Sequence, residues 1–217
     1  MLPEPDVTAA VARISTLFSR ATARPDDRGC GRCFSDEESA LLRTPNRPLP
    51  DDLVLRVAAK DPLHWADQPR VLRRVLPRLV VLLVDGVDID ARWCARGLAA
   101  ARWSTWPADE SEAVEAFLNA WWTHTLRSGA SFERVAEVFM SCAIAGLLVD
   151  PWLATWDDEA ARSSVVRERR ERCIEDWWED LDRVASPFPC WWGTDESEER
   201  AVKTLRSWMG CAERSVH

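Results

Sequence analysis

The chain has no tyrosine, three histidines and, among its 28 basic residues, two lysines, Lys60 and Lys203. With His217 the terminal residue, only His64 and His124 are placed to move protons at neutral pH, and neither sits in a recognisable catalytic motif. The longest strongly apolar run, Leu79 to Val84, is six residues, against about 20 for a membrane span. There is no glycine-rich phosphate loop, no zinc-protease motif and no nucleophile elbow. Positive charge is also short: 36 acidic residues give a net charge of −8, which repels a phosphate backbone and favours a basic protein partner over nucleic acid.

What is abundant is tryptophan, 13 residues beside six phenylalanines, and most of those indoles must enter a core. A length of 217 residues suits one domain. Arginine almost to the exclusion of lysine reads as a G+C-rich, bacterial coding sequence. The N-terminus "MLPEPDVTAAVARISTLF" starts acidic and reads as an amphipathic helix, not a signal peptide, which places the protein in the cytoplasm. Seven scattered cysteines, an odd number, suit reduced thiols there.

Helical spacing recurs throughout and no stretch alternates long enough for a strand, so the expected class is all-α. The spacing predicts helices over 6–23, from the Ser35 cap to before "TPNRPLP", over 51–60, over 69–84 with a kink or break at Pro77, and from an Asp88 or Asp90 cap to Trp103. Further helices follow from Pro107 to a Gly129 cap and from Ser131 to a stop at Asp150-Pro151. A long charged helix covers 158–185, and a last one begins at Asp195. In the 69–84 helix, Arg70, Arg73, Arg74 and Arg78 form the polar face. Nine or ten antiparallel helices without a long linker make one domain over 1–217, either an irregular bundle or a short superhelical stack resembling HEAT-type repeats.

Chemistry is suggested most by "RGCGRCFSDEE". Cys30 and Cys33 can supply half of a tetrahedral zinc site, and isolated residues, His64, Cys94, His124 or Cys190, would have to complete it. As a redox pair they precede the Ser35 cap, outside the turn that would stabilise a thiolate, so the plain reading is a turn whose thiols pack under the next helix. His64, in "DPLHWADQP", decides between these readings by whether it reaches the pair.

The tryptophan pairs 121–122, 177–178 and 191–192 offer one indole to the core and one to its edge. The segment "EDWWED" sets Glu175 with Glu179 and Asp176 with Asp180 on adjacent helical faces, without the histidine a di-iron bundle needs. Trp178, Trp191, Trp192, Glu175, Asp176, Glu179 and Asp180 are therefore the candidate partner-binding residues.

"CGRCFSDEE", "LPDDLVLRVAAK" and "HWADQPRVLRRVLPRLVVLL" together resemble a widespread bacterial family with a Cys-x-x-Cys, a short Leu-Pro helix and a Leu-Pro-Arg-Leu helix in that order. The resemblance covers about residues 28–84. Relatives often carry a histidine between the cysteines, where Arg32 stands here. It implies an all-α cytoplasmic protein and brings no activity with it. Two functions are expected: an acidic helical module that binds another, basic protein as an immunity or assembly partner, without a cofactor, or an enzyme or redox/zinc sensor centred on Cys30, Cys33 and His64.

Overall fold

The computed structural model describes residues 6–27, 29–86, 90–183, 186–188 and 190–213, excepting the side chains of 178–183 and 211–213. Ten α-helices make up the described chain: α1 Val7–Leu17, α2 Asp36–Arg43, α3 Asp51–Ala59, α4 Gln68–Asp85, α5 Ala91–Ala100, α6 Ala108–Arg127, α7 Phe132–Gly146, α8 Asp150–Arg162, α9 Ser164–Arg183 and α10 Asp195–Glu213. Two short 3-10 turns, Pro62–His64 and Trp103–Thr105, lie before α4 and after α5. No described helix is long and apolar enough to cross a membrane.

Side-chain caps set many of the boundaries. The Asp6 carboxylate accepts from the Thr8 N–H and opens α1; Ser35 and Glu38 form a reciprocal capping box on α2; Asp67, Asp90 and Ser131 accept from the N–H groups of Arg70, Arg92 and Arg134 to open α4, α5 and α7. Asp88 lies outside the described residues. At the far end of α4, Gly86 takes φ 77°, the left-handed conformation that glycine adopts without a Cβ penalty.

Six features of the helix boundaries differ from the pattern reading. The first helix stops at Leu17, where Phe18 turns inward against Trp106, 5.9 Å between rings. Pro77 does not break α4, which continues to Asp85. Asp150-Pro151 starts a helix instead of stopping one, because proline's missing N–H costs nothing in a first turn. The expected helix over 158–185 is two, α8 and α9, divided at Ser163, whose extended backbone (φ −138°, ψ 122°) and hydroxyl, accepting from the Val166 N–H at 3.4 Å, begin α9. The helix predicted to reach Trp103 ends at Ala100, and Ser128, not Gly129, closes α6.

Helix α1 packs on α6, five helices further along the chain, beside closer pairings of α5 with α7, α3 with α5 and the consecutive α3 and α4. A superhelical repeat stack buries each unit against its neighbours in sequence, so this packing is that of an irregular bundle. Tryptophan unites the C-terminal half. Trp122 of α6, Phe139 of α7, Trp156 of α8, Trp177 of α9 and Trp208 of α10 form one aromatic cluster with centroids 5.1–5.9 Å apart. Trp121 and Trp122 are both buried, against the expectation that such a pair divides between core and edge. Arg74 also departs from its place on the polar face of α4. It is buried and donates to the Thr44 and Arg47 carbonyls, tying the α2–α3 connection to α4.

Candidate metal centre

Two connections meet at the surface of the N-terminal half, one between α1 and α2, the other between α3 and α4. In the second, the Asp61 carboxylate accepts from the Leu63 N–H (3.0 Å) and winds Pro62–His64 into its 3-10 turn. In the first, the Cys30 carbonyl accepts from the N–H groups of both Cys33 (2.8 Å) and Phe34 (3.0 Å). That tight turn brings Cys33 back beside Cys30 just ahead of the Ser35 cap.

The two connections pair as a minimal antiparallel ladder. Gly29 bridges Trp65, and the Cys30 N–H donates to the His64 carbonyl at 2.9 Å. Directly opposed residues of an antiparallel pair project to the same side, so Cys30 and His64 are set face to face. Gly29 is required here by close approach: a Cβ would lie 2.7 Å from the Phe34 ring and 2.8 Å from the Trp65 ring. Those rings sit 4.7 Å apart and are buried, anchoring the ladder in the core. Arg56 of α3 holds the turn from the other side, donating to the Cys33 carbonyl (3.2 Å) and pairing with Glu38.

The result is a cluster in which one donor atom each from Cys30, Cys33 and His64 lies within 4.8 Å of the others. Around a tetrahedral zinc ion, bonds of about 2.0–2.3 Å place neighbouring donors roughly 3.3–3.8 Å apart, so modest side-chain rotation closes the set. His64 Nδ1 is buried and has no hydrogen-bond partner, a cost that a metal bond through that nitrogen would remove. All three residues are half-exposed, leaving a fourth position for water or an external ligand.

The electrostatics separate Cys30 from the buried thiols among the described residues. The Cys30 thiol is held below its ordinary value, first by the Arg32 N–H, with the Cys33 thiol and N–H and the Arg32 charge adding to it against partial desolvation. Burial acts oppositely elsewhere, pushing Cys94 and Cys173 up to about 12 and raising Cys142 and Cys190 as well. Low thiol acidity suits inert packing, and high acidity suits a metal ligand or a nucleophile. Three residues before Cys30 on the same connection, Asp27 is buried and no side chain hydrogen-bonds to its carboxylate. Burial and then the charge of Asp67 raise its carboxyl above the ordinary aspartate range.

Other residues raised by the sequence are placed elsewhere. Cys94 and Cys190 are buried and His124 is exposed on α6; among the described residues none joins the Cys30, Cys33 and His64 cluster. The expectation that the two thiols pack under the next helix holds in part for Cys33, which packs against the core, and both thiols also lie beside His64. Glu175 and Asp176 are exposed on α9, while the side chains of Trp178, Glu179 and Asp180 lie outside the described residues. Trp191 is half-buried, its indole N–H donating to Ser197 Oγ (2.9 Å) and its ring 5.4 Å from Phe188. Trp192 is exposed, with the Arg96 guanidinium 5.6 Å from its ring centroid.

Two exposed groups were not singled out by pattern. Leu63, next to His64, is 83% exposed, and Trp93 is a second exposed indole beside Arg96, 4.7 Å from ring centroid to guanidinium. Arg96 also approaches Asp61 at 3.8 Å, linking these indoles to the rim of the centre. The Asp61-Pro62 pair, a cap followed by a first-turn proline, was the available signal for the turn that exposes Leu63. No protein-family model, no curated protein and no solved structure matches this chain, and the reading of the centre rests on its own residues.

Proposed function

We propose that the chain is a zinc-binding helical protein whose metal centre is Cys30, Cys33 and His64. The convergence of those three donors within 4.8 Å carries the reading. Two thiolates and an imidazole are a donor set that suits zinc and disfavours calcium or magnesium. The ion would join the α1–α2 connection to the α3–α4 connection, reinforcing the Gly29–Trp65 bridge, and occupancy would thereby report on zinc supply as a change in local order. The six described cysteines are all free thiols, which supports a reducing compartment such as the bacterial cytoplasm. Zinc titration by calorimetry tests the reading. One zinc per chain is expected, with binding abolished in the Cys30→Ser, Cys33→Ser double variant; a wild-type chain that takes up no zinc overturns it.

A second reading, an acidic module that binds a basic protein, is favoured by one observation: Leu63, Trp93 and Trp192 are all exposed, the two indoles lie beside Arg96, and Arg96 reaches Asp61 at the rim of the centre. Large apolar side chains presented together are characteristic interface anchors. Crosslinking in the host with wild type and with the Leu63→Asp, Trp192→Ala variant tests it. A partner retained equally by both argues against this surface.

A further inference from the structure

We propose that Cys30 and Cys33 form a reversible disulfide on reaction with a hydroperoxide, and that closing it ejects the zinc ion. The inference rests on the zinc reading above and adds a regulator to that centre. Its basis is geometric. The two sulfurs lie within 4.8 Å on a tight turn, both residues are half-exposed, and the turn precedes the Ser35 cap, so an S–S bond of about 2.05 Å can close without disturbing α2. Among the described residues, the four other thiols offer no such pair. Cys94, Cys142 and Cys173 have no exposed surface and Cys190 is 3% exposed, shut away from a solvent-borne oxidant.

The chemistry balances with the hydroperoxide as the sole oxidant. The Cys30 sulfur bonds to one peroxide oxygen as the O–O bond breaks, giving a sulfenic acid and, with one proton from solvent, an alcohol or water. The Cys33 sulfur then attacks the Cys30 sulfur; the S–S bond forms, the S–O bond breaks, and hydroxide leaves as water with a second proton. Two thiolates are oxidised by two electrons and the peroxide is reduced. Of the three protein donors only His64 remains, and zinc, which is bound through thiolate, is lost. The Cys30 N–H bond to the His64 carbonyl and the Phe34–Trp65 packing do not involve the sulfurs, so the connection stays docked.

The experiment uses the zinc-loaded full chain, one equivalent of hydrogen peroxide, a chromogenic zinc chelator and intact-mass spectrometry with peptide mapping. Expected are one zinc released per chain, loss of two hydrogens confined to a Cys30–Cys33 disulfide, unchanged helical circular dichroism, and recovery of zinc binding after a dithiol reductant. The Cys33→Ser variant lacks the resolving thiol and should stop at a Cys30 sulfenic acid that dimedone captures. Zinc retained after oxidation, a disulfide involving another cysteine, or sulfinic acid without a disulfide overturns the proposal while leaving the zinc reading intact. Absence of zinc before peroxide is added overturns the zinc reading, and the release with it.

Discussion

At the scale of single residues, the centre depends on three side chains of unequal visibility. The Cys30 and Cys33 spacing, half a zinc site, is plain in the sequence. His64 is visible there only as one isolated histidine, and nothing in its spacing from the cysteines says it faces them; that follows from the Gly29–Trp65 bridge, a pairing of two loops that no local periodicity encodes. His64→Ala should weaken zinc binding at least roughly 100-fold, since losing even an outer-shell partner costs about 10–100-fold, while the fold persists. Competition with a calibrated zinc indicator measures this. Asp27 makes a prediction of opposite sign. Its folded-state carboxyl is raised, chiefly by burial, so the charged form destabilises the fold above the ordinary aspartate value of 3.8. Asp27→Asn should therefore raise the melting temperature at pH 7, and the advantage should fade as pH falls through the raised value and the wild-type Asp27 carboxyl protonates.

At the scale of elements, caps were legible and interruptions were not. Ser35, Asp90 and Ser131 act as N-caps as their sequence contexts indicate, because a cap is a local hydrogen bond. Proline carries two meanings, a breaker inside a helix and a starter at its first turn, and the choice belongs to packing: Pro77 lies inside an unbroken α4, and Pro151 opens α8. Ser163 divides α8 from α9 because the two helices fold back on one another, information absent from the run of charges around it. Two glycines mark contacts between elements. A Cβ at Gly97 would stand 2.7 Å from the Ala58 carbonyl oxygen, where α5 touches α3. Gly97→Ala should cost about 1–3 kcal/mol in denaturant unfolding, the usual scale of overpacking. Gly29→Ala should act locally instead, pushing Trp65 aside and separating Cys30 from His64, with zinc affinity lowered and helicity retained.

At the scale of the whole molecule, the all-α class and the tryptophan-rich core were legible from period and composition, whereas the order of packing was not. Helices α1 with α6 and α5 with α7 meet through contacts distant in sequence. One aromatic cluster joins α6 to α10 through the core. Trp122, at one end of it, has no exposed surface and donates to the Trp152 carbonyl at 3.0 Å, so Trp122→Ala should cost about 3–5 kcal/mol and melt the C-terminal half first. An ion pair helps to close the same region. Glu159, 6% exposed, accepts from Arg127 at 2.7 and 2.8 Å and from Arg162 at 2.9 Å. The Arg127 hydrogen bonds hold its carboxyl below 4.5, so the pair contributes stability above that value which is lost as pH falls through the lower, folded one. Glu159→Gln should lower stability at pH 7 by about 1.5–3 kcal/mol and converge with wild type in acid.

The centre itself is the claim on which the account turns, and cobalt(II) substitution reads it most directly, because cobalt reports both ligand identity and geometry. Added to the reduced apo-protein, one equivalent should give the intense visible bands of a tetrahedral ion and a near-ultraviolet sulfur-to-cobalt charge-transfer band. That band should be lost in the Cys30→Ser, Cys33→Ser variant and both features displaced by zinc. A spectrum without thiolate charge transfer, or one unchanged by removing both cysteines, would contradict the account.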